Sequence, residues 1–293
     1  MGWRRALASD LPALAGFLGA DEERRVGFSG RLLREGGAGK PALRLPNPLR
    51  GAVWILDAAA GDGSALAGAL LCHPSRLAFP VFPEEAEDDR GLALLAGYFS
   101  PASALGMASD VGRYESAFGL SPRVSVEYRL MSIPGGPVRA LPAAPSFEAS
   151  GISLRRAVSS DLDALLPLQE AYEREEVLTR IHSFDRAACR ASLARALERQ
   201  LVFAAWEDGI AVGKAGTNAR GFAVDQLGGV YTLPERRGRG LASALMAMLL
   251  GAIGSEGKRP ALFVKPHNAP ARALYGRLGF EDLGDYQADY FSP

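Results

Sequence analysis

The chain has 293 residues, is 48% hydrophobic, and sets 33 basic against 33 acidic side chains. That length exceeds one ordinary domain and fits two of about 140 to 150 residues, each able to bury its own core. Zero net charge excludes a global field that would draw the protein to nucleic acid or an anionic membrane, so positive charge acts only where it is concentrated. Cys72 and Cys189 stand one in each half, outside any Cys-x-x-Cys or Cys/His ligand spacing. This argues against a disulfide framework or a structural zinc site, and for a reducing, cytoplasmic setting. The first ten residues hold two arginines but no adequate apolar stretch, so they read as neither a signal peptide nor a membrane anchor.

Comparing the chain with itself exposes a repeat. Arg4-Arg5-Ala6-Leu7-Ala8-Ser9-Asp10-Leu11-Pro12-Ala13-Leu14 aligns with Arg155-Arg156-Ala157-Val158-Ser159-Ser160-Asp161-Leu162-Asp163-Ala164-Leu165 at a constant offset of 151. Each copy opens with a short strand and a Ser-Asp helix-start signal followed by apolar residues at helical spacing. In the first copy the pattern predicts helices from Leu11 to about Leu18 and from Gly30 to Arg34, strands at Ala52 to Ala58, Ala65 to Cys72 and Arg76 to Phe82, and a helix at Arg90 to Phe99. Val124 to Met131 alternates as a closing strand, and residues 134–150, rich in Pro, Gly and Ala, read as a linker.

The second copy predicts helices at Leu162 to Glu176 and Asp185 to Arg199, and strands at Leu201 to Trp206, Ile210 to Thr217 and Phe222 to Thr232. A turn at Glu207-Asp208-Gly209 separates the first two strands. The stretch from Gly228 to Ser243 then reads as strand, tight turn and helix. Pro234 stops the strand, Gly238 and Gly240 let backbone approach a ligand closely, and the helix that follows to Gly254 points unpaired N–H groups at the turn. With Arg236, Arg237 and Arg239 beside it, an anion rich in phosphate is the expected occupant. A strand at Ala261 to Lys265, a helix capped by Asn268, and a last strand from Leu283 to Phe291 that closes the second sheet complete the expectation. At the offset of 151, the first copy's equivalent turn is Pro83 to Asp89, with five carboxylates in six residues. That sign excludes it as a pyrophosphate site.

The string Arg237-Gly238-Arg239-Gly240-Leu241-Ala242 resembles the pyrophosphate motif of the GCN5-related N-acetyltransferase (GNAT) superfamily. The run from Asn268 through Tyr275 to Phe280 resembles its second motif. The segment Arg113 to Leu120 is a blurred echo of that second motif. The resemblance implies an α/β architecture, α+β with a mixed sheet, of two tandem acyl-CoA N-acyltransferase (GNAT) folds: a degenerate copy in residues 1–133 and a catalytic, acetyl-CoA-binding copy in residues 151–293.

Carried over by position, the resemblance implies that the strand before the turn splays from the next parallel strand. Acetyl-CoA, the donor substrate, would lie in the opening. The backbone of Val230, Tyr231 and Thr232 would pair with its pantetheine arm and present an N–H to the thioester carbonyl. The N–H groups of Arg237, Gly238, Arg239, Gly240, Leu241, Ala242 and Ser243 would hold its pyrophosphate. Tyr275 falls where the family places the hydroxyl that protonates the departing thiolate, or is a core aromatic of its helix at Leu274 and Leu278 spacing, and Asn268 either contacts the coenzyme or only caps its helix. Glu175 and Glu176 end the first helix near the acceptor wall and are candidates to take the acceptor's proton, with His182 a further one; adjacent helical glutamates also serve as plain solvated surface. The expected reaction is direct N-acetylation of a primary amine on a small molecule or peptide, without metal, nucleic acid or membrane. The alternative is a catalytically silent acyl-CoA-binding sensor or scaffold module. No Ser/His/Asp order, His-Glu-x-x-His or Gly-x-x-x-x-Gly-Lys-Ser/Thr run supports a hydrolase, metalloprotease or P-loop nucleotidase.

Overall fold

The computed structural model describes residues 2–35, 41–46, 51–58, 65–82, 89–135, 147 and 151–292. The acidic turn at residues 83–88 and most of the linker at residues 134–150 lie outside the described residues. The chain forms two compact units. The first comprises Met1–Leu130, Val264–His267 and Leu283–Pro293, and the second Met131–Phe263 and Asn268–Asp282.

The first unit is built from strands β1 (Trp3–Arg5), β2 (Leu33–Glu35), β3 (Pro41–Leu43), β4 (Ala52–Asp57), β5 (Leu66–Cys72), β6 (Leu77–Val81), β7 (Ser103–Met107) and β8 (Val124–Ser132). Its helices are α1 (Leu11–Gly19), α2 (Val26–Leu32), α3 (Asp89–Leu94) and α4 (Ala108–Phe118). β2 and β3 pair as a separate ribbon. The second unit holds β9 (Ile152–Arg156), α5 (Leu162–Tyr172), α6 (Arg186–Arg199), β10 (Val202–Glu207), β11 (Ile210–Arg220), β12 (Val224–Thr232), α7 (Leu241–Ser255), β13 (Arg259–Val264) and α8 (Ala269–Arg277).

The two units repeat one order of strands. β1-β4-β5-β6-β7 in the first corresponds to β9-β10-β11-β12-β13 in the second. Each series is antiparallel until its last pair, where β6–β7 and β12–β13 run parallel. The internal repeat extends to single atoms. Arg4 grips Asp10 with both terminal guanidinium nitrogens at 2.8 and 3.0 Å, and Arg155 grips Asp161 in the same way at 2.7 Å through each nitrogen. Asp10 also accepts the Leu7 N–H at 2.7 Å and Asp161 the Val158 N–H at 2.9 Å, so each carboxylate ties strand to helix start. The arginine hydrogen bonds hold both carboxyls below the usual aspartate range.

Local expectations need correction, and one strand was not foreseen. The last strand, β14 (Glu281–Tyr290), does not close the second sheet: Tyr286 to Tyr290 pair antiparallel with Met107 to Ser103 of β7, in the first unit. Alternation along a strand fixes which face is buried but carries no information about which edge it joins. β7 itself, Ser-Ala-Leu-Gly-Met, lacks the β-branched residues that announce a strand. The second helix of the first copy, expected from Gly30 to Arg34, runs instead from Val26 to Leu32, where Val26, Phe28 and Leu32 are buried, and Leu33–Glu35 form strand β2.

Each unit has its own core. In the first, Leu70, Phe82, Leu92, Val111 and Tyr114 pack together. In the second, Leu165, Leu168, Leu193, Leu197, Trp206 and Tyr231 form the main cluster, and α7 buries Leu241, Leu245, Leu249 and Ile253 along one face. Cys72 and Cys189 are buried free thiols.

Candidate active site

The site is shaped by what happens halfway along β12. Its parallel pairing with β13 runs from Val224 opposite Arg259 to Leu227 opposite Leu262 and goes no further, although β12 continues to Thr232. On the other edge, pairing with β11 passes from Gly216 opposite Gly228 to Lys214 opposite Tyr231, so β12 carries one extra residue there. Gly229 absorbs that bulge at φ +61°, a conformation in which a side chain is strained. Beyond the bulge the Leu233 N–H donates to Val212 O at 3.0 Å. Strand alternation therefore turns the N–H of Thr232 to the opposite edge, where β12 has left β13, and the trans Gly229–Val230 peptide, its carbonyl bonded to Lys214 of β11, turns the Val230 N–H away from that bond.

A 3-10 turn, Pro234–Arg236, ends the strand. Gly238 and Gly240 follow at φ +77° and +81°, and an added Cβ at Gly238 would meet nothing within 4 Å. Gly240 is the N-cap of α7 and supplies no side-chain cap, so the first N–H groups of a 15-residue helix remain open to a ligand. Among the three arginines, Arg236 is bound to Glu207 at 2.6 Å and Arg237 to Glu175, while Arg239 is exposed. The hydroxyl of Thr232 is buried without a hydrogen-bond partner at the strand's end. Positive-φ glycines, uncapped amides, parted strands and an orphaned hydroxyl together suit a long ligand with a phosphate-rich end.

The expected first helix does not run straight to Glu176. α5 ends at Tyr172, and residues Glu173–Val177 form a π-helical turn, a widened turn common where helices serve a site. The widening sends three glutamates to three different sets of partners. Glu175 accepts the Tyr231 phenol at 2.7 Å and Arg237 Nη2 at 2.7 and 2.8 Å, and the Tyr231 and Arg237 bonds hold it below the usual glutamate range. Glu173 accepts the Gln169 amide at 2.9 Å and lies near Lys214 and Cys189. The Glu176 charge acts on the phenols of Tyr172 and Tyr275; burial foremost, then Glu176, pushes each up to about 12.

Tyr275 is 7% exposed on α8, its ring 5.9 Å from that of Phe280. Asn268 caps α8 by accepting the Ala271 N–H at 3.1 Å. His182 Nδ1 lies 2.7 Å from the Thr179 hydroxyl, in the segment after the π turn. Three residues at this site escape the sequence reading: Lys214, Tyr172 and Glu173. Lys214 is 5% exposed, donates to the Gly229 carbonyl at 2.9 Å, and stands 4.2 Å from the centre of the Tyr172 ring. Burial lowers its pKa to about 8 despite the nearby Glu173. A lysine inside the otherwise apolar run Ile210 to Thr217 was the available signal.

Residues 164–280 match the acetyltransferase (GNAT) family. This segment is a GNAT acetyltransferase domain. The GNAT family works by acyl transfer from acyl-CoA, and its match covers α5 through α8, the elements that build the site. No curated protein matches the chain. Among solved structures, a Drosophila protein aligns at 14% identity with a TM-score of 0.67, covering 99% of this chain and 98% of that one. A GCN5-related N-acetyltransferase from Sphaerobacter thermophilus aligns at 20% identity and TM-score 0.57 over 99% and 96% of the two chains. A tandem GNAT protein from the clavulanic acid biosynthesis pathway aligns at 17% identity and TM-score 0.55 over 99% and 98%. At these identities the likenesses concern the fold, and they extend it over both units: the chain has a tandem GNAT architecture with a GNAT-like first copy.

Proposed function

We propose that the second unit is an acetyl-CoA-dependent N-acetyltransferase that passes the acetyl group directly to a primary amine of a small molecule or peptide. One observation carries the reading: β12 parts from β13 after Leu227, just before a glycine turn that opens onto the uncapped start of α7. An opening of that form accommodates an extended arm between strands and a diphosphate at the helix head.

Acetyl-CoA, when bound, supplies an acyl carbon activated by a thioester. The N–H groups of Leu241, Ala242 and Ser243 grip the diphosphate with those of the Arg237–Gly240 turn. The N–H of Val230 or Thr232, at the freed edge of β12, holds the thioester carbonyl and stabilises the negative charge its oxygen gains as the amine attacks. As the C–N bond forms and the C–S bond breaks, the Tyr275 phenol gives its proton to the departing sulfur; with its pKa raised to about 12 it is fully protonated at neutral pH. The amine's own proton leaves to a carboxylate, directly or through water. Glu176 fits this role better than Glu175, because Arg237 and Tyr231 already stabilise the ionised form of Glu175 and weaken it as a base. Both soluble partners and a cytoplasmic setting are consistent with this chemistry, and among the described residues no helix is long and apolar enough to cross a membrane.

Release of free thiol from acetyl-CoA, measured against a panel of primary amines that includes polyamines, aminoglycosides and peptides with free N-termini, tests the proposal. Acceptor-dependent thiol release with matching acetylated product is expected. Tight coenzyme binding without turnover on any amine would instead favour an acyl-CoA sensor.

A further inference from the structure

Lys214 is a cation buried in an apolar strand, and the reaction just described gives it no task. It is 5% exposed, and its Nζ donates to the carbonyl of Gly229 at 2.9 Å. An added Cβ at Gly229 would lie 2.7 Å from that Nζ, so the ammonium sits directly against the bulge. The groups that face Lys214 are the Tyr172 ring of α5 at 4.2 Å, Glu173 of the π turn, Cys189 of α6, and on β12 the bulge carbonyl with Tyr231 opposite in register.

The Gly229–Val230 peptide is trans and planar, so its N–H points away from its C=O. A group that fixes the Gly229 carbonyl thereby fixes the Val230 N–H in the opposite direction, towards the edge that β12 presents where β13 has left it. A cation on the carbonyl also draws electron density from the amide and makes the N–H a stronger donor. We infer that Lys214 is a positioning residue, which aims and polarises the Val230 N–H at the acyl carbonyl of the bound thioester through the Gly229 carbonyl. The inference rests on the acyl-CoA reading of the site and deepens it: the acetyl group would be sensed by a donor atom that the charge reaches across one hydrogen bond and two covalent bonds. Because burial holds Lys214 near pKa 8, the polarising charge is present at neutral pH and is lost as pH rises through that value.

The test compares the binding of acetyl-CoA and free CoA by calorimetry, since the two differ only by the acetyl group that the Val230 N–H would contact. Wild type should favour acetyl-CoA by about fivefold to tenfold near pH 6.5, the worth of one hydrogen bond, with the ratio falling towards one by about pH 9.5. Lys214→Met should bring the ratio close to one at both pH values while CoA affinity stays within about twofold of wild type. A wild-type ratio that is constant with pH, or a Lys214→Met protein that keeps the preference, overturns the inference and leaves the acyl-CoA site standing. Equal loss of both ligands together with a lowered Tm in the variant assigns Lys214 to the fold alone and also overturns it. Wild type that binds neither ligand sinks the acyl-CoA reading, and the inference with it. The wild-type pH series does not depend on the variant folding.

Discussion

The phenol of Tyr231 donates to the Glu175 carboxylate at 2.7 Å while Arg237 Nη2 donates to both oxygens of the same carboxylate at 2.7 and 2.8 Å. One glutamate thus braces the last residues of β12 against the start of the glycine turn, and its neighbour Glu176 is left to act on the phenols of Tyr172 and Tyr275.

The two adjacent glutamates should therefore separate in function. Glu175→Gln is expected to retain turnover within about threefold, whereas Glu176→Gln should lower kcat/KM by tenfold or more, the scale of a lost general base. Steady-state thiol release on each variant decides it, and the reverse order would reassign the base to Glu175. The folded-state pKa of Glu175 lies below its unfolded value, so its contribution to stability is present above the ordinary glutamate pKa and is lost as pH falls through the depressed value. With side chains 40% and 47% exposed, the Glu175–Arg237 pair contributes no more than about 1 kcal/mol.

Tyr275→Phe removes one hydroxyl from a buried ring that keeps its packing on Phe280. It should lower kcat by about 100-fold or more while the Kd for acetyl-CoA changes less than about threefold. A variant with wild-type kcat would show that the departing sulfur takes its proton elsewhere.

A carboxyl pair in the first unit predicts a pH effect on stability. Glu115 of α4 is pushed up to about 8 by burial first, then by the proximity of the Asp289 carboxylate. Asp289 of β14 is fully buried and also accepts the Gln287 amide at 2.5 Å. A pKa raised in the folded state stabilises fully below the unfolded glutamate value, and that stabilisation is lost as pH climbs through about 8. Thermal melts of wild type should fall in Tm between about pH 5 and pH 9, and Glu115→Gln should flatten that slope; a variant with the same slope would place the pH dependence elsewhere.

Much of the site was legible from residue chemistry. The turn announced itself through Pro234, Gly238 and Gly240, whose backbone roles are fixed by the amino acid itself, and the repeat through Arg4, Asp10, Arg155 and Asp161, whose side chains pair locally within six residues. The Asp208-Gly209 hairpin followed from the same chemistry, with φ +50° and +80°. What stayed hidden depends on contacts distant in sequence. Nothing local to Tyr286 says that its strand joins Met107, 179 positions earlier by subtraction of the two numbers. The π turn stayed hidden because Glu173, Glu175 and Glu176 look like an ordinary helical surface until Lys214 of β11 comes near Glu173, Tyr231 of β12 and Arg237 of the glycine turn bind Glu175, and Tyr275 of α8 comes within reach of the Glu176 charge. Lys214 is the instructive case: a charged residue in an apolar strand is conspicuous, yet its partner is a backbone carbonyl that only the bulge at Gly229 brings within reach.

The central claim, that the Gly238–Gly240 turn and the amides heading α7 hold the diphosphate of an acyl-CoA, is tested most directly by titrating CoA into the protein calorimetrically alongside Gly240→Glu. Gly240 sits at φ +81°, so the substitution both strains the turn and places a carboxylate where the diphosphate would lie. Saturable binding at one site per chain in wild type, and none in the variant at an unchanged fold by circular dichroism, is the predicted result. No heat from wild type, or equal affinity in both proteins, would contradict the account.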